Sequence, residues 1–353
     1  MLVDSPPEQS ADPKAAVSAP EPVRRHALRA AGLLLAVGVL ALVCVASIAI
    51  GAKPVPVDDV WHGLFQNSGT GNDVVIRDLR VPRTVLGLLA GVALGLSGAV
   101  MQALTRNPLA EPGLLGVNAG ASAAVVTAIS FFGVTSISEY VWFAFLGAGV
   151  VSVGVYLLGG SRGATPVRLA LAGTAATAAL FGYVNAVQLL DSAALDRLRF
   201  WTVGSLASAD PATIGKVAPF IAAGVVLALL IARPLNAMEM GDDTARALGA
   251  HINRTRALAM AAVTLLCGAA TAACGPIVFI GLMVPHLVRA VTGPDMRWIL
   301  PYAAVLSPVL LLGSDVVGRM VARPSELQVG VVTAFIGGPV FIHLVRRKRM
   351  AQL

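Results

Sequence analysis

Long runs without a charged residue dominate the sequence. A helix needs about 20 mostly apolar residues to cross the hydrocarbon core of a bilayer. Only 13% of the 353 residues are charged and 56% are hydrophobic, whereas about 25% of residues are charged in a typical soluble domain. The sequence therefore predicts an all-α integral membrane protein. Nine runs free of Asp, Glu, Lys and Arg are candidate crossings: 31–52, 84–105, 112–138, 140–161, 169–190, 217–232, 257–288, 298–314 and 327–345.

One of these runs is long enough for two helices. Residues 257–288 form a 32-residue run that contains Gly275 and Pro276. Proline lacks a backbone N–H and has a fixed φ, so it favours the end of one helix and the first turn of the next. We expect Pro276 to begin a new span, which gives about ten transmembrane helices and places both termini on the same side.

The distribution of charge indicates on which side of the membrane the two termini lie. From Arg24 onward, the ten-helix topology places sixteen Lys and Arg and five Asp and Glu on the side of the termini, and nine Lys and Arg and ten Asp and Glu on the other side. Basic loops face the cytoplasm. We therefore expect a multi-pass protein of the cytoplasmic (inner) membrane with both termini cytoplasmic. The net charge of +7 then reflects topology, and no nucleic-acid partner is predicted.

The N-terminus has a different composition. Residues 1–25 are rich in Pro and Ala, which favours a disordered tail, and residues 26–353 are expected to form one polytopic transmembrane domain. The first apolar run, 31–52, is longer than the core of a cleaved signal peptide. We interpret it as an uncleaved span.

The loop 233–256 carries its own short helix signal. Asp242 or Asp243 can cap its N-terminus and Gly249 can end it in the left-handed conformation. Such a helix could lie on the lipid surface, but the alanines that follow offer little apolar area for insertion. Docking against a cytoplasmic partner is therefore favoured.

Two arginines lie outside the membrane, against the usual bias. Arg80 and Arg83 precede the second span. They could bind lipid phosphates, pair with Asp73 and Asp78, or receive carboxylates of an external protein, because guanidinium groups favour bidentate carboxylate pairs. The sequence leaves these three interpretations open.

The fifth span carries a polar face. Residues at spacings of three and four lie on one side of a helix, and the face is either a translocation pathway or a polar seam between helices. Its residues are Thr174, Thr177, Phe181, Asn185 and Gln188.

Residues suited to catalysis are scattered. The five histidines are far apart, the three cysteines all lie in apolar runs, and no G-x-x-x-x-G-K-[ST] motif is present. We predict no catalytic, cofactor or metal site, and any ATP must be hydrolysed by another subunit. Asp315 and Arg319 are four residues apart and are expected to form an ion pair near the outer end of their helix.

Six blocks occur in order along the chain. They are Arg80-x-Pro82-Arg83, Ser97-Gly98-x-x-x-Gln102, Asn107-Pro108-Leu109-Ala110-x-Pro112-x-x-x-Gly116, Asp243-x-Ala245-x-x-Leu248-Gly249, Gly275-Pro276-Ile277-x-Phe279-x-Gly281-Leu282-x-x-Pro285-His286-x-x-Arg289, and Gly330-Val331-Val332-Thr333-x-x-x-Gly337-x-Pro339-x-Phe341. Together they resemble the FecCD-type permeases of ABC importers for iron–siderophores, haem and vitamin B12. The resemblance extends from about residue 31 to the C-terminus.

This resemblance implies a fold like that of the vitamin B12 importer permease, with a short cytoplasmic coupling helix. It implies membrane lipid around the subunit and three kinds of protein partner: a second permease subunit in a homodimer or heterodimer, two cytoplasmic ATP-binding subunits and an extracytoplasmic substrate-binding lipoprotein. Positions matching the docking arginines are Arg80, Arg83 and Arg319, with Arg323 a nearby candidate. Positions assigned to ATPase coupling are Gly241, Asp243, Ala245, Leu248 and Gly249.

The resulting prediction is a permease subunit of an ATP-driven importer that moves iron–siderophore complexes inward by alternating access. Vitamin B12 and haem are alternative cargoes within the same family. An ion-coupled secondary transporter is the main alternative from another class, but such proteins usually place ionisable residues at the membrane midplane, and these spans hold almost none. A membrane enzyme is the least favoured class.

Overall fold

A computed structural model describes residues 22–65, 71–134, 136–160 and 166–350. A π-helical turn, Val75–Arg80, precedes α4, and a 3₁₀ turn, Pro112–Leu115, precedes α5. The α-helices within these ranges are α1 (Pro22–Ala49), α2 (Val57–Phe65), α3 (Gly71–Val74), α4 (Val81–Thr105), α5 (Val117–Phe132), α6 (Ile137–Gly160), α7 (Pro166–Leu190), α8 (Ser192–Thr202), α9 (Pro211–Leu230), α10 (Ala232–Glu239), α11 (Asp242–Ala247), α12 (Ile252–Cys274), α13 (Ile280–Thr292), α14 (Met296–Val321) and α15 (Val329–Met350).

The predicted all-α membrane fold is confirmed. Among the described residues, seven helices are long and apolar enough to cross a membrane, and α5, α13 and α15 contain shorter apolar stretches. Together they account for the ten spans expected from the sequence. The chain is therefore a multi-span, membrane-embedded protein.

The predicted boundary of the N-terminal tail differs from the first helix. Residues 1–21 of the predicted tail, 1–25, lie outside the described residues. Helix α1 begins at Pro22, so the last four residues of that range are helical. Proline is well suited to the first turn of a helix, where its missing N–H removes no intrahelical bond.

Helices α4 and α12 form the centre of the bundle, and α1 and α7 lie at its edge. Small residues let the central helices approach closely, as is common between helices in membranes. A Cβ added at Gly98 of α4 would collide with the carbonyl oxygen of Gly281 in α13. Glycine at residue 98 is therefore required by the contact between α4 and α13.

The long run 257–288 is divided as predicted, but the second helix begins later than expected. Helix α12 ends at Cys274, and Gly275 has φ +71°. Residues 276–279 are not helical, and α13 starts only at Ile280, after Phe279 with φ +70°. The expectation that Pro276 opens the span is therefore wrong. The cause is tertiary: the linker packs against the loop after α8, where Ser205 N donates to Cys274 O at 2.7 Å.

The chain turns tightly after α4, as the Asn107-Pro108 sequence indicates. Asn107 Oδ1 accepts a hydrogen bond from Leu109 N at 3.0 Å. The chain then runs back into the bundle, where the 3₁₀ turn packs against α7 and Gly116 takes φ +71°. Glu111, at the start of that turn, interacts with the backbone N–H of Phe279. The segment 106–116 after α4 therefore contacts the linker 275–279 between α12 and α13.

Candidate functional site

Helix α11 is short, and most of its surface is exposed. The Asp243 side chain is fully exposed and Leu248 is 62% exposed, whereas Ala245 is completely buried. Gly249 takes φ +80° after the last turn, as predicted for the residue that ends this helix. The segment buries one small apolar side chain, Ala245, against the bundle, and the side chains of Asp243 and Leu248 point outward.

The predicted cap of α11 is wrong. The N-cap position is occupied by Gly241 at φ +107°, and no side-chain capping bond is formed. Asp242 and Asp243 both lie in the first helical turn, where Asp243 pairs with Arg246 at 2.7 Å. The cap requires a positive φ, which glycine adopts without steric cost and aspartate adopts rarely.

Asp242 makes the contacts that join α11 to the bundle. Its Oδ1 accepts a hydrogen bond from Arg106 Nη2, and its Oδ2 lies 2.8 Å from Arg256 Nη2. Burial favours a higher pKa for the Asp242 carboxyl, but the two guanidinium groups outweigh burial and hold this pKa below its ordinary value. We name these three residues the Asp242 triad. Local sequence gives no signal for the triad, because Arg106 is 136 residues away along the chain.

Helix α10, which precedes α11, is tied to two further helices. Glu239 Oε1 lies 2.7 Å from Arg289 Nη1 of α13. Asn236 donates to Asp295 Oδ1 at 2.7 Å and accepts from Met296 N at 2.8 Å, at the start of α14. The α11 end of the bundle is thus connected through polar side chains to α4, α12, α13 and α14.

The opposite end, which carries α2, contains a buried charge cluster. Arg83 binds Asp315 through two nitrogens, with Nη2 at 2.7 Å from Oδ1 and Nε at 3.0 Å from Oδ2. Arg83 Nη1 also lies 2.6 Å from Glu326 Oε2. Arg319 Nη2 lies 2.9 Å from Asp315 Oδ2, which confirms the predicted ion pair. We name these four residues, with Arg80 and Arg323, the arginine cluster.

Three arginines of this cluster cap helix α1. Arg80, Arg319 and Arg323 donate to backbone carbonyls of residues 47–53 at distances of 2.6–3.0 Å. The last carbonyls of a helix have no intrahelical partner and need donors from elsewhere. The arginines supply these donors.

The three arginines predicted for docking lie at this end of the bundle and are buried. Arg80, Arg83 and Arg319 are only 4%, 8% and 1% exposed, and their guanidinium groups bind carbonyl and carboxylate oxygens of their own chain. Their role in docking stays a prediction. A cavity of about 390 Å³ lies beside them, and Lys53 and Glu326 contribute to its wall.

The predicted polar face of α7 lies at the surface of the subunit. Val184 and Val187 face the core and are buried. Thr174, Phe181 and Asn185 are exposed, and Thr177 and Gln188 are half-buried.

The described residues contain no group of three or more His, Cys, Asp or Glu side chains that could hold a metal ion. The chemistry that the described sites offer is ion pairing and hydrogen bonding between helices. Such contacts position structural elements relative to one another.

Comparison with known proteins agrees with this architecture. The chain matches the FecCD transport family over residues 39–347. It is 48% identical, over 92% of its length and 96% of the relative, to the ferric enterobactin transport system permease protein FepD of Escherichia coli K12. It is 38% identical, over 86% of its length and 90% of the relative, to the Fe(3+)-citrate import system permease protein YfmD of Bacillus subtilis 168.

A solved structure has the same fold. It is described as an inward-facing conformation of a metal-chelate type ABC transporter, and it superposes with a TM-score of 0.80 at 26% identity. The match covers 89% of this chain and 98% of the other. The family match over most of the chain shows that it belongs to the FecCD transport family, and the fold agrees with this assignment.

Proposed function

We propose that the chain is the permease subunit of an ATP-driven importer that moves iron–siderophore complexes inward by alternating access. The observation that carries this proposal is the 48% identity, over nearly the whole chain, to a permease named for ferric enterobactin transport. Ferric enterobactin is therefore the first cargo to test. Haem and vitamin B12 are the other cargo classes of the proposal.

The proposed source of energy is a pair of ATP-binding subunits at the α11 end. Gly241, Asp243, Ala245, Leu248 and Gly249 form the coupling segment, and the exposure of Leu248 and Asp243 supports a contact with a partner there. ATP is bound and hydrolysed by the partner, because the chain carries no P-loop motif. The α11 end, which has the excess of basic residues, faces the cytoplasm together with both termini.

The proposed pathway runs along the polar face of α7 at the interface with a second permease subunit, either identical or related. The exposure of Thr174, Phe181 and Asn185 away from the subunit's own helices supports this placement. Hydroxyl, amide and aromatic groups contact a polar chelate without the strong charge pairing that would prevent its release. Membrane lipid surrounds the remaining apolar surface.

At the α2 end, an extracytoplasmic substrate-binding lipoprotein delivers the cargo. Arg80, Arg83 and Arg319 belong to this docking site and, because they are buried, mainly support its surface from beneath. They fix the end of α1 and hold Glu326, whose side chain is 33% exposed and belongs to the docking surface.

The test is uptake into proteoliposomes that contain this chain, its ATP-binding subunit and its binding protein. Ferric enterobactin labelled with radioactive iron should accumulate only when ATP is supplied to the ATPase side. Ferric citrate, haemin and cobalamin, offered to the same vesicles, identify the cargo class.

A matched preparation with this chain alone and an imposed proton or sodium gradient tests the secondary-transporter alternative. Accumulation driven by such a gradient without ATPase subunits would refute the proposal. ATP-dependent uptake of haemin or cobalamin but not of iron–siderophores would leave the importer class intact and replace the cargo.

A further inference from the structure

Three helices meet at a single carboxylate on the α11 end of the bundle. Asp242 is the first residue of α11, Arg106 follows the last residue of α4, and Arg256 lies in the second turn of α12. Each oxygen of the carboxylate binds a different arginine. Because α4 and α12 are the most buried helices of the bundle, the Asp242 triad connects a peripheral helix directly to the core.

The backbone of Arg106 is arranged for this contact. Arg106 takes φ +50° and ψ +32°, a left-handed conformation that is uncommon for a residue other than glycine. In this conformation its Nε donates to Met238 O at 2.7 Å while its Nη2 binds Asp242. A single side chain from α4 therefore holds both the end of α10 and the start of α11.

The neighbouring aspartate lacks this connection. Asp243 pairs with Arg246 within α11, and the two side chains are 100% and 62% exposed. The Arg256 side chain, in contrast, is only 11% exposed. Two adjacent residues of the same type therefore have different surroundings: Asp243 faces outward, where a partner would bind, and Asp242 faces the bundle.

We propose that Asp242 is the positioning residue that transmits movement of α11 to α4 and α12, an inference that rests on the proposed function of α11 as the contact with the ATPase. Helix α11 buries only one small side chain, Ala245, so apolar packing alone gives a weak mechanical connection. Charge-assisted hydrogen bonds to arginines on two helices fix both the position and the direction of the carboxylate. Movement of α11 then displaces α4 and α12 together.

The test compares Asp242→Asn with the wild-type chain in the complete transporter. Asparagine keeps the size of the side chain but removes its charge. We expect uptake of ferric enterobactin to fall about tenfold, within the range of ordinary coupling free energies. Co-purification of the ATPase subunit and its basal ATP hydrolysis should be unchanged, because the exposed surface of α11 is intact. Asp242→Glu should restore much of the uptake.

Asp196→Asn is the matched control. Asp196 belongs to an exposed pair with Arg199 in α8, remote in sequence from α11, and this variant should transport like the wild type. A double variant, Asp242→Asn with Arg256→Gln, should lose no more uptake than the more impaired single variant, since both changes break one connection.

Normal uptake by Asp242→Asn would overturn the proposal. Loss of ATPase co-purification in Asp242→Asn would also overturn it, because the residue would then only maintain the docking surface. If Asp242→Asn does not fold, Arg106→Gln tests the connection from α4, and normal uptake by that variant would contradict the proposal. Failure of the proposed function is distinguishable, because the wild-type transporter itself would then not import the chelate.

Discussion

At the α2 end of the bundle, Arg83 and Arg319 enclose Asp315, whose side chain is completely shielded from solvent. At the α11 end, Arg106 and Arg256 hold Asp242, whose side chain is 27% exposed. Both sites place one carboxylate between two guanidinium groups. They differ in burial, and burial determines what each arrangement can do.

A fully buried ion pair is costly to separate, because each partner would remain charged and unpaired in a medium of low dielectric constant. A partly exposed pair can rearrange at lower cost, since water solvates the separated charges. The arginine cluster, which holds the end of α1, is therefore the costlier of the two connections to break.

The largest expected effect comes from breaking the buried anchor. Asp315→Asn leaves Arg83 and Arg319 without their shared negative charge, and we expect a loss of about 3–5 kcal/mol of stability. The midpoint of thermal unfolding in detergent measures it. Asp196→Asn, which disrupts an exposed pair, should cost less than about 1 kcal/mol. Equal midpoints for the two variants would show that burial does not distinguish these sites.

An intermediate effect is expected from removing one cap of α1. Arg80→Met keeps a long side chain but loses the donors to Ile48 O, Ala49 O and Lys53 O. We expect local opening of residues 47–53 to become easier by about 2 kcal/mol, measured by amide hydrogen exchange. Leu79→Met, at a neighbouring exposed residue, is the control. Unchanged exchange in Arg80→Met would mean that the other arginines suffice.

The smallest effect is a pH dependence at the α11 end. The hydrogen bond from Arg297 lowers the pKa of Asp295 to about 2, and guanidinium groups also lower the pKa of Asp242. Unfolded aspartate has a pKa of about 3.9, so these carboxylates stabilise the fold above that pH. Their contribution is lost as the pH falls from about 4 through the lower folded-state values.

Amide exchange of residues 236–250 should therefore quicken, after correction for intrinsic rates, as the pH falls from about 4 to about 2. Asp242→Asn should show a flatter profile, because one of the two titrating groups is absent. An identical profile in the variant would show that Asp242 does not contribute to the stability of this end.

Some features were predictable because they depend on neighbours along the chain. The Asp315–Arg319 pair follows from a spacing of four residues on a helix. The end of α11 at Gly249 and the break after Cys274 follow from the properties of glycine and proline. The start of α13 was not predictable in this way, because Ile280 follows a linker whose path is set by contacts with the loop after α8.

The sequence by itself determined the helical membrane fold, its ten apolar spans and the family, since each depends on composition, on local spacing or on motifs in order. Only the tertiary structure decided that Arg80 and Arg319 bind the end of α1, and that Asp242 rather than Asp243 joins α11 to the bundle. These outcomes depend on residues up to 272 positions apart. The packing of helices in three dimensions decides which donor reaches which acceptor, and the local spacing of residues does not predict it.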